Sequence, residues 1–127
     1  MVGPSIIQIQ RRKSDMTLSF DEYQKKAVST AIYPGRGTIL GLAYAGLGLG
    51  EAGEAQNKIK KVLRDDNGIL TDEKRTAIAK EIGGTLWYCA AVAEELGMSL
   101  EIIAQMNIDE LAGRKARGTL GGSGDNR

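Results

Sequence analysis

Apolar residues recur along this chain at spacings of three and four, and no stretch of any length alternates with period two. That pattern predicts an all-α protein, a helical bundle of about four helices per protomer. Ser19-Phe20-Asp21-Glu22 has the Ser-x-x-Glu form of a capping box, placing a first helix from Phe20 to about Ala31. Pro34-Gly35-Arg36-Gly37 breaks the chain. A second helix is expected over Thr38 to Leu63, with Leu40, Tyr44, Leu47, Ala55, Ile59 and Val62 at roughly helical spacing. Asp65-Asp66-Asn67-Gly68 reads as a turn. Thr71 or Asp72 caps a third helix, which runs to Leu96 and stops at Gly97. Ser99 caps a fourth, Leu100 to about Arg117. The expected organisation is one helical domain, residues 19–117. A flexible N-terminal extension, 1–18, precedes it, in which Met16 offers an alternative start, and a Gly-rich polar tail, 118–127, follows.

Composition narrows the function. The chain of 127 residues has one Trp, one Phe and four Tyr, so its core must be built from Leu, Ile, Val and Ala. With 17 basic and 16 acidic residues it has no charge excess to draw nucleic acid or an anionic membrane. Its longest uncharged run, Gly37 to Gly50, is too short and too glycine-rich to span a bilayer. At the N-terminus the apolar Ile6–Ile9 precedes Arg11, Arg12 and Lys13, the reverse of a signal peptide. The lone Cys89 cannot form an internal disulfide, which suits a reducing, cytoplasmic setting. The absence of histidine removes Ser-His-Asp and Cys-His catalysis and His-ligated zinc. A metal here would be held by oxygen, which points to Mg²⁺ or Mn²⁺.

The second helix carries Gly41, Gly46, Gly48, Gly50 and Gly53, each costing about 1 kcal/mol relative to Ala. Gly48-x-Gly50-x-x-Gly53 matches the dinucleotide fingerprint by letters, but it lies within a helical pattern rather than between strand and helix. Close approach of another helix is the better account. Glu51 and Glu54, three apart, are neighbours on a helix surface and repel unless a cation or basic group lies between them. Such a pair is usually a solvated face, but Ala52, Gly53 and Ala55 beside them suggest a helix pressed against a neighbour. If the second and third helices pack antiparallel, Glu81 can face the pair, and three carboxylates then converge in the manner of bundle metal sites.

Gly50-Glu51-Ala52-Gly53-Glu54-Ala55, Asn57-Lys58-Ile59-Lys60-Lys61, Leu63-Arg64-Asp65-Asp66 and Glu81-Ile82-Gly83-Gly84-Thr85-Leu86-Trp87-Tyr88 follow one another in the order of a known signature. Together with the tail from Gly118 to Arg127, they resemble the MazG-like all-α nucleoside triphosphate pyrophosphohydrolases, over about residues 19–127. The resemblance implies Mg²⁺-dependent hydrolysis of a (deoxy)nucleoside triphosphate to the monophosphate and pyrophosphate. Glu51, Glu54 and Glu81 would be metal ligands, and Glu51 or Glu54 the catalytic base. It also implies a homodimer or tetramer. Lys58 and Lys61 could meet phosphate, while Asn107 and Arg114 match a late family element that helps hold the nucleotide; Glu110 replaces its usual Lys. In one place the chain departs from the family: the expected fourth acid is Gly84. Two alternatives therefore stand beside the active enzyme, namely a nucleotide-binding relative with weak or no catalysis, and a helical interaction module without nucleotide. Trp87 and Tyr88 are expected in the core or at a subunit contact.

Overall fold

A computed structural model describes residues 17–122. Most of the expected extension, residues 1–16, and the last five residues of the tail lie outside this range. Among the described residues the chain is helical: α1 (Phe20–Val28), α2 (Ile39–Gly48), α3 (Glu51–Asp65), α4 (Asp72–Glu95) and α5 (Leu100–Arg117). None of these is long and apolar enough to cross a membrane.

The helix starts follow from side-chain oxygens that satisfy otherwise free N–H groups. Ser19 accepts from the Glu22 amide at 3.1 Å, Thr71 from Lys74 at 3.2 Å and Ser99 from Ile102 at 3.0 Å. Gly97 (φ 68°) and Gly118 (φ 72°) take left-handed conformations that end α4 and α5. At each, the following residue's N–H reaches back to close the last turn, Met98 to the Ala93 carbonyl and Thr119 to the Arg114 carbonyl.

Two expected boundaries are corrected. α1 stops at Val28 rather than Ala31, because the Ser29 and Thr30 hydroxyls donate to the Lys26 and Ala27 carbonyls and compete with helical bonding. The single second helix is two, α2 and α3, and α3 runs on to Asp65. Leu49 and Gly50 keep right-handed helical dihedrals, but amides here bond three residues back: Leu49 to Gly46, Gly50 to Leu47, Ala52 to Leu49 and Gly53 to Gly50. A run of glycines has the least helical preference to resist this tightening. The four-helix plan survives in the sense that α2 and α3 form one interrupted arm.

The glycines of that arm do not share one cause. A Cβ on Gly48 would lie 2.0 Å from the Tyr88 ring, and one on Gly41 2.4 Å from the Gly35 carbonyl oxygen. Close approach explains these two. At Gly46 and Gly53 a Cβ would meet nothing within 4 Å, so close packing does not explain them within the protomer.

α4 is the centre of the molecule and touches α1, α2, α3 and α5. What it buries is small: Ala90 and Ala93 meet Ala27 and Leu100, Ala91 is buried on the same helix, and Ala45 and Val62 are buried on α2 and α3. Around them pack the partly buried Tyr23, Leu86, Trp87, Cys89 and Ile103. Gln24 of α1, only 5% exposed, bonds three ways across the α4–α5 connection. Its Nε2 donates to Glu94 Oε2 (3.2 Å) and the Met98 carbonyl (3.0 Å), and its Oε1 accepts from the Leu100 amide (2.6 Å). Glu95 holds the turn before α2 in the same manner, accepting from the Tyr33 hydroxyl at 2.7 Å and the Gly37 amide at 2.9 Å.

Gln24→Ala leaves the Leu100 amide and the Met98 carbonyl without their partner. It should lower stability by about 1–3 kcal/mol, the cost of a buried group left unsatisfied, read as a lower urea midpoint at unchanged slope. An unchanged midpoint would show that water replaces the side chain freely.

Burial, the hydrogen bond to Glu95 and its negative charge push the Tyr33 phenol up to about 12. The unfolded phenol titrates near ~10. The neutral form is therefore favoured by folding; its contribution is whole below about pH 10 and is lost as pH rises through about 12. The difference in alkaline absorbance titration between wild type and Tyr33→Phe should show Tyr33 ionising last, together with loss of helix signal. A difference curve centred near the ordinary tyrosine value would contradict the Glu95 contact.

Candidate functional site at the seam of α3 and α4

Two contacts fix how α3 and α4 face each other. Lys58 of α3 lies 3.6 Å from Glu81 of α4 (Nζ to Oε1), and Gly48, just before α3, abuts Tyr88. One partner falls in number as the other rises, so the helices run antiparallel. Glu51, Ala55, Lys58 and Val62 form the stripe of α3 turned to α4, being half-buried or buried, while Glu54 and Lys61 stand at its solvent edge. By the same register Glu54 is level with Gly84 and Thr85. The order of elements thus places Glu51, Glu54, Glu81, Lys58 and Lys61 along one seam.

Local sequence explains part of this. Glu51 and Glu54 occupy the first turn of α3, whose N-cap, Gly50, offers no side-chain acceptor. Negative charge there complements the free amides and dipole of the helix start, a stabilising role that needs no ligand. Lys58 and Glu81, with side chains 39% and 25% exposed, form a half-solvated pair worth about 0–1 kcal/mol.

The seam does not gather its acids at a point. Among the described residues no three Asp, Glu or Cys side chains form a group that could hold a metal ion. The oxygen donors suit magnesium in kind, yet Glu81 is engaged by Lys58 and position 84 contributes no side chain. As they stand, Glu51, Glu54 and Glu81 do not fit the convergent cage expected of them. Gly84 itself is half-buried, and a Cβ there would meet no atom within 4 Å. The space for a side chain is open.

The other expected nucleotide contacts sit on α5, which packs on α1 and α4 through Leu100 and Ile103. Asn107 is exposed. Arg114 pairs with Glu110 one turn back on its own helix, and its Nε is buried without a hydrogen-bond partner. No bond or ion pair joins either residue to the seam glutamates. Arg64 forks onto Asp65 (2.8 and 2.9 Å), holding that carboxyl below its usual range. Trp87 joins the margin of the core and donates its indole N–H to the Ala27 carbonyl and the Thr30 hydroxyl.

A second concavity had no signal in the sequence. Thr30, Ile32, Tyr33, Tyr44, Trp87 and Tyr88 line a hollow of about 250 Å³. Trp87 stands edge-on to both Tyr33 (6.5 Å between centroids) and Tyr88 (5.0 Å). Three separate segments contribute these side chains, so no spacing rule links them. A larger open depression, lined by Gly53, Gln56, Asn57 and Lys60, lies on the side of α3 opposite the seam.

Among the described residues, fold and seam define a small helical protein with a row of charged side chains along the contact of two antiparallel helices. No protein-family model matches the chain, and no solved structure matches it. The chain is 49% identical over 111 residues to the Gene 37 protein of Mycobacterium phage L5, a match covering 84% of this chain and 97% of the phage protein. The chain belongs to the family of that protein.

The Gly48 contact and the open space at Gly46 make opposite predictions for one substitution. Gly48→Ala drives a methyl into the Tyr88 ring and should lower the melting temperature by several degrees. Gly46→Ala meets nothing in the protomer and should stabilise α2 by about 0.5–1 kcal/mol. Equal effects of the two would mean that Gly48 is not held against Tyr88.

Proposed function

We propose that this protein binds nucleoside triphosphates along the α3–α4 seam and hydrolyses them to the monophosphate and pyrophosphate. What supports this reading is that Glu51 and Glu54 of α3 lie along the same seam as Glu81 of α4, whose register is set by the Lys58–Glu81 contact. The motif order shared with the MazG-like enzymes supports it. Water attacks phosphorus, the bridging bond between the α- and β-phosphates breaks, and pyrophosphate leaves. Glu51, in the stripe that faces α4, or Glu54, at the solvent edge of the seam, would accept the proton of that water. Lys58 would exchange Glu81 for a phosphate oxygen, and Lys61 would add a second positive charge. Magnesium, or manganese in its place, is the cofactor the resemblance implies. Asn107 and Arg114 remain candidates for holding nucleotide, and both stand away from the seam contacts of their own protomer. The setting proposed is cytoplasmic, consistent with the free Cys89, and the assembly a homodimer or tetramer. Exposed apolar side chains on α2 and α5 support the assembly.

A specific observation favours a second reading, a nucleotide-binding relative with weak catalysis. Gly84 supplies no carboxylate, and the glutamates present are not gathered. The two separate experimentally. Pyrophosphate release is measured over a panel of ribo- and deoxyribonucleoside triphosphates with Mg²⁺ and with Mn²⁺, alongside thermal stabilisation by the same ligands. Release that disappears in Glu54→Gln supports the enzyme. Metal-dependent stabilisation without release supports the binding relative, and neither effect leaves a helical interaction module. Gly84→Asp should fold, since the space is open. It should also raise release by about tenfold or more, the scale on which even indirect metal partners act. A folded Gly84→Asp protein with unchanged metal affinity and rate would show that position 84 is not a vacated ligand position.

A further inference from the structure

The side of α2 turned away from α4 is apolar and bare. α2 contains no charged residue; it buries Gly41 and Ala45, while Ile39, Leu40, Tyr44 and Leu47 stay 81%, 50%, 45% and 78% exposed. A helix that is apolar on all sides is ordinarily covered on all sides. Beside it Ile32, 95% exposed, stands at the rim of the hollow walled by Tyr33, Tyr44, Trp87 and Tyr88. Tyr44 belongs to both features, so the hollow and the α2 face are continuous.

This surface has matching relief. Leu40, Tyr44 and Leu47 form a ridge along α2. The neighbouring row, Ile39, Ala43 and Gly46, falls from a large side chain to none, with open space at Gly46. Projecting side chains and the depressions that would receive them are therefore on the same patch. Self-complementarity of this kind is what a two-fold contact between identical chains requires. At the exposures above, Ile32, Ile39, Leu40, Tyr44 and Leu47 leave on the order of 700 Å² of residue surface in water, near the ~800 Å² per partner of a standard interface. The patch offers no charge, so a charged partner would lose solvation here without compensation.

We propose that this face binds a second copy of the chain about a two-fold axis, with Ile32 of each copy seated in the aromatic hollow of the other and the two α2 helices packed against each other. The proposal rests on the assembly part of the function above and assigns it a surface. Sedimentation equilibrium of the full chain is compared with Ile32→Glu, Leu47→Glu and, on the apolar face of α5, Ile108→Glu; circular dichroism confirms folding. Trp87, the chain's single tryptophan, reports from inside the hollow. Wild type and Ile108→Glu should self-associate at ~10 µM, whereas Ile32→Glu and Leu47→Glu should weaken association by about 30-fold or more, the scale of an interface anchor. Trp87 emission should shift to longer wavelength on dilution, in step with dissociation. A monomeric wild type overturns both the surface and the assembly. Folded Ile32→Glu and Leu47→Glu proteins that still assemble, or dissociation by Ile108→Glu alone, overturn the surface and leave the assembly standing.

Discussion

Alanine fills the centre of this protein, and most of its architecture follows from that. Ala90 and Ala93 of α4 and Ala45 of α2 are fully excluded from solvent, and Ala91 and Ala27 are nearly so. Helices can meet across methyl groups only if they come close, and close approach demands glycine where a ring lies opposite, as at Gly48 against Tyr88. It also places large apolar side chains at the margins, where no large side chain is fully buried. A core of methyl groups contributes less hydrophobic stabilisation per residue than one of leucines. Directional contacts then matter more: the three bonds of Gln24 and the two of Glu95 fix the C-terminal end of α4 and the turn after it.

The same constraint connects fold to assembly. Side chains that an alanine core cannot admit remain at the surface, Ile32, Ile39, Leu47 and Leu63 being the most exposed. Those of α2 lie together with an aromatic hollow beside them. A protomer built this way leaves apolar surface uncovered, and the proposed second copy would cover it. The open glycines acquire a reason on this account, since Gly46 lies on the uncovered face rather than against α4.

At the seam, electrostatics and chemistry pull apart. The Lys58–Glu81 pair is satisfied without any ligand, and the first-turn glutamates are satisfied by the helix start. Triphosphate would have to offer Lys58 a stronger partner than Glu81 does, and phosphate oxygens are able to do so. The level of Glu54 on the facing helix is occupied by Gly84, so the fourth side of the groove is backbone and open space. On the proposed reading, catalytic strength would turn on that position.

The sequence by itself determined the helices. Capping residues and glycine stops act within one turn, so Ser19, Thr71, Ser99, Gly97 and Gly118 were legible as boundaries before any packing was known. The placement of Glu81 opposite the α3 acids was also within reach, because a short turn forces adjacent helices antiparallel. The glycine run of the arm between Thr38 and Leu63 marked where the helix is weakest, but only the tertiary structure showed the break there and the close contact of Gly48 with the Tyr88 ring, forty residues away. Tertiary structure likewise decided that the three glutamates stay apart, since Lys58 competes for Glu81 and helical spacing sets the face of a residue but not the reach of its neighbours. It decided the aromatic hollow too: Thr30, Ile32, Tyr33, Tyr44, Trp87 and Tyr88 meet only when the α1–α2 connection, α2 and α4 come together, and no periodicity along one segment records a meeting of three.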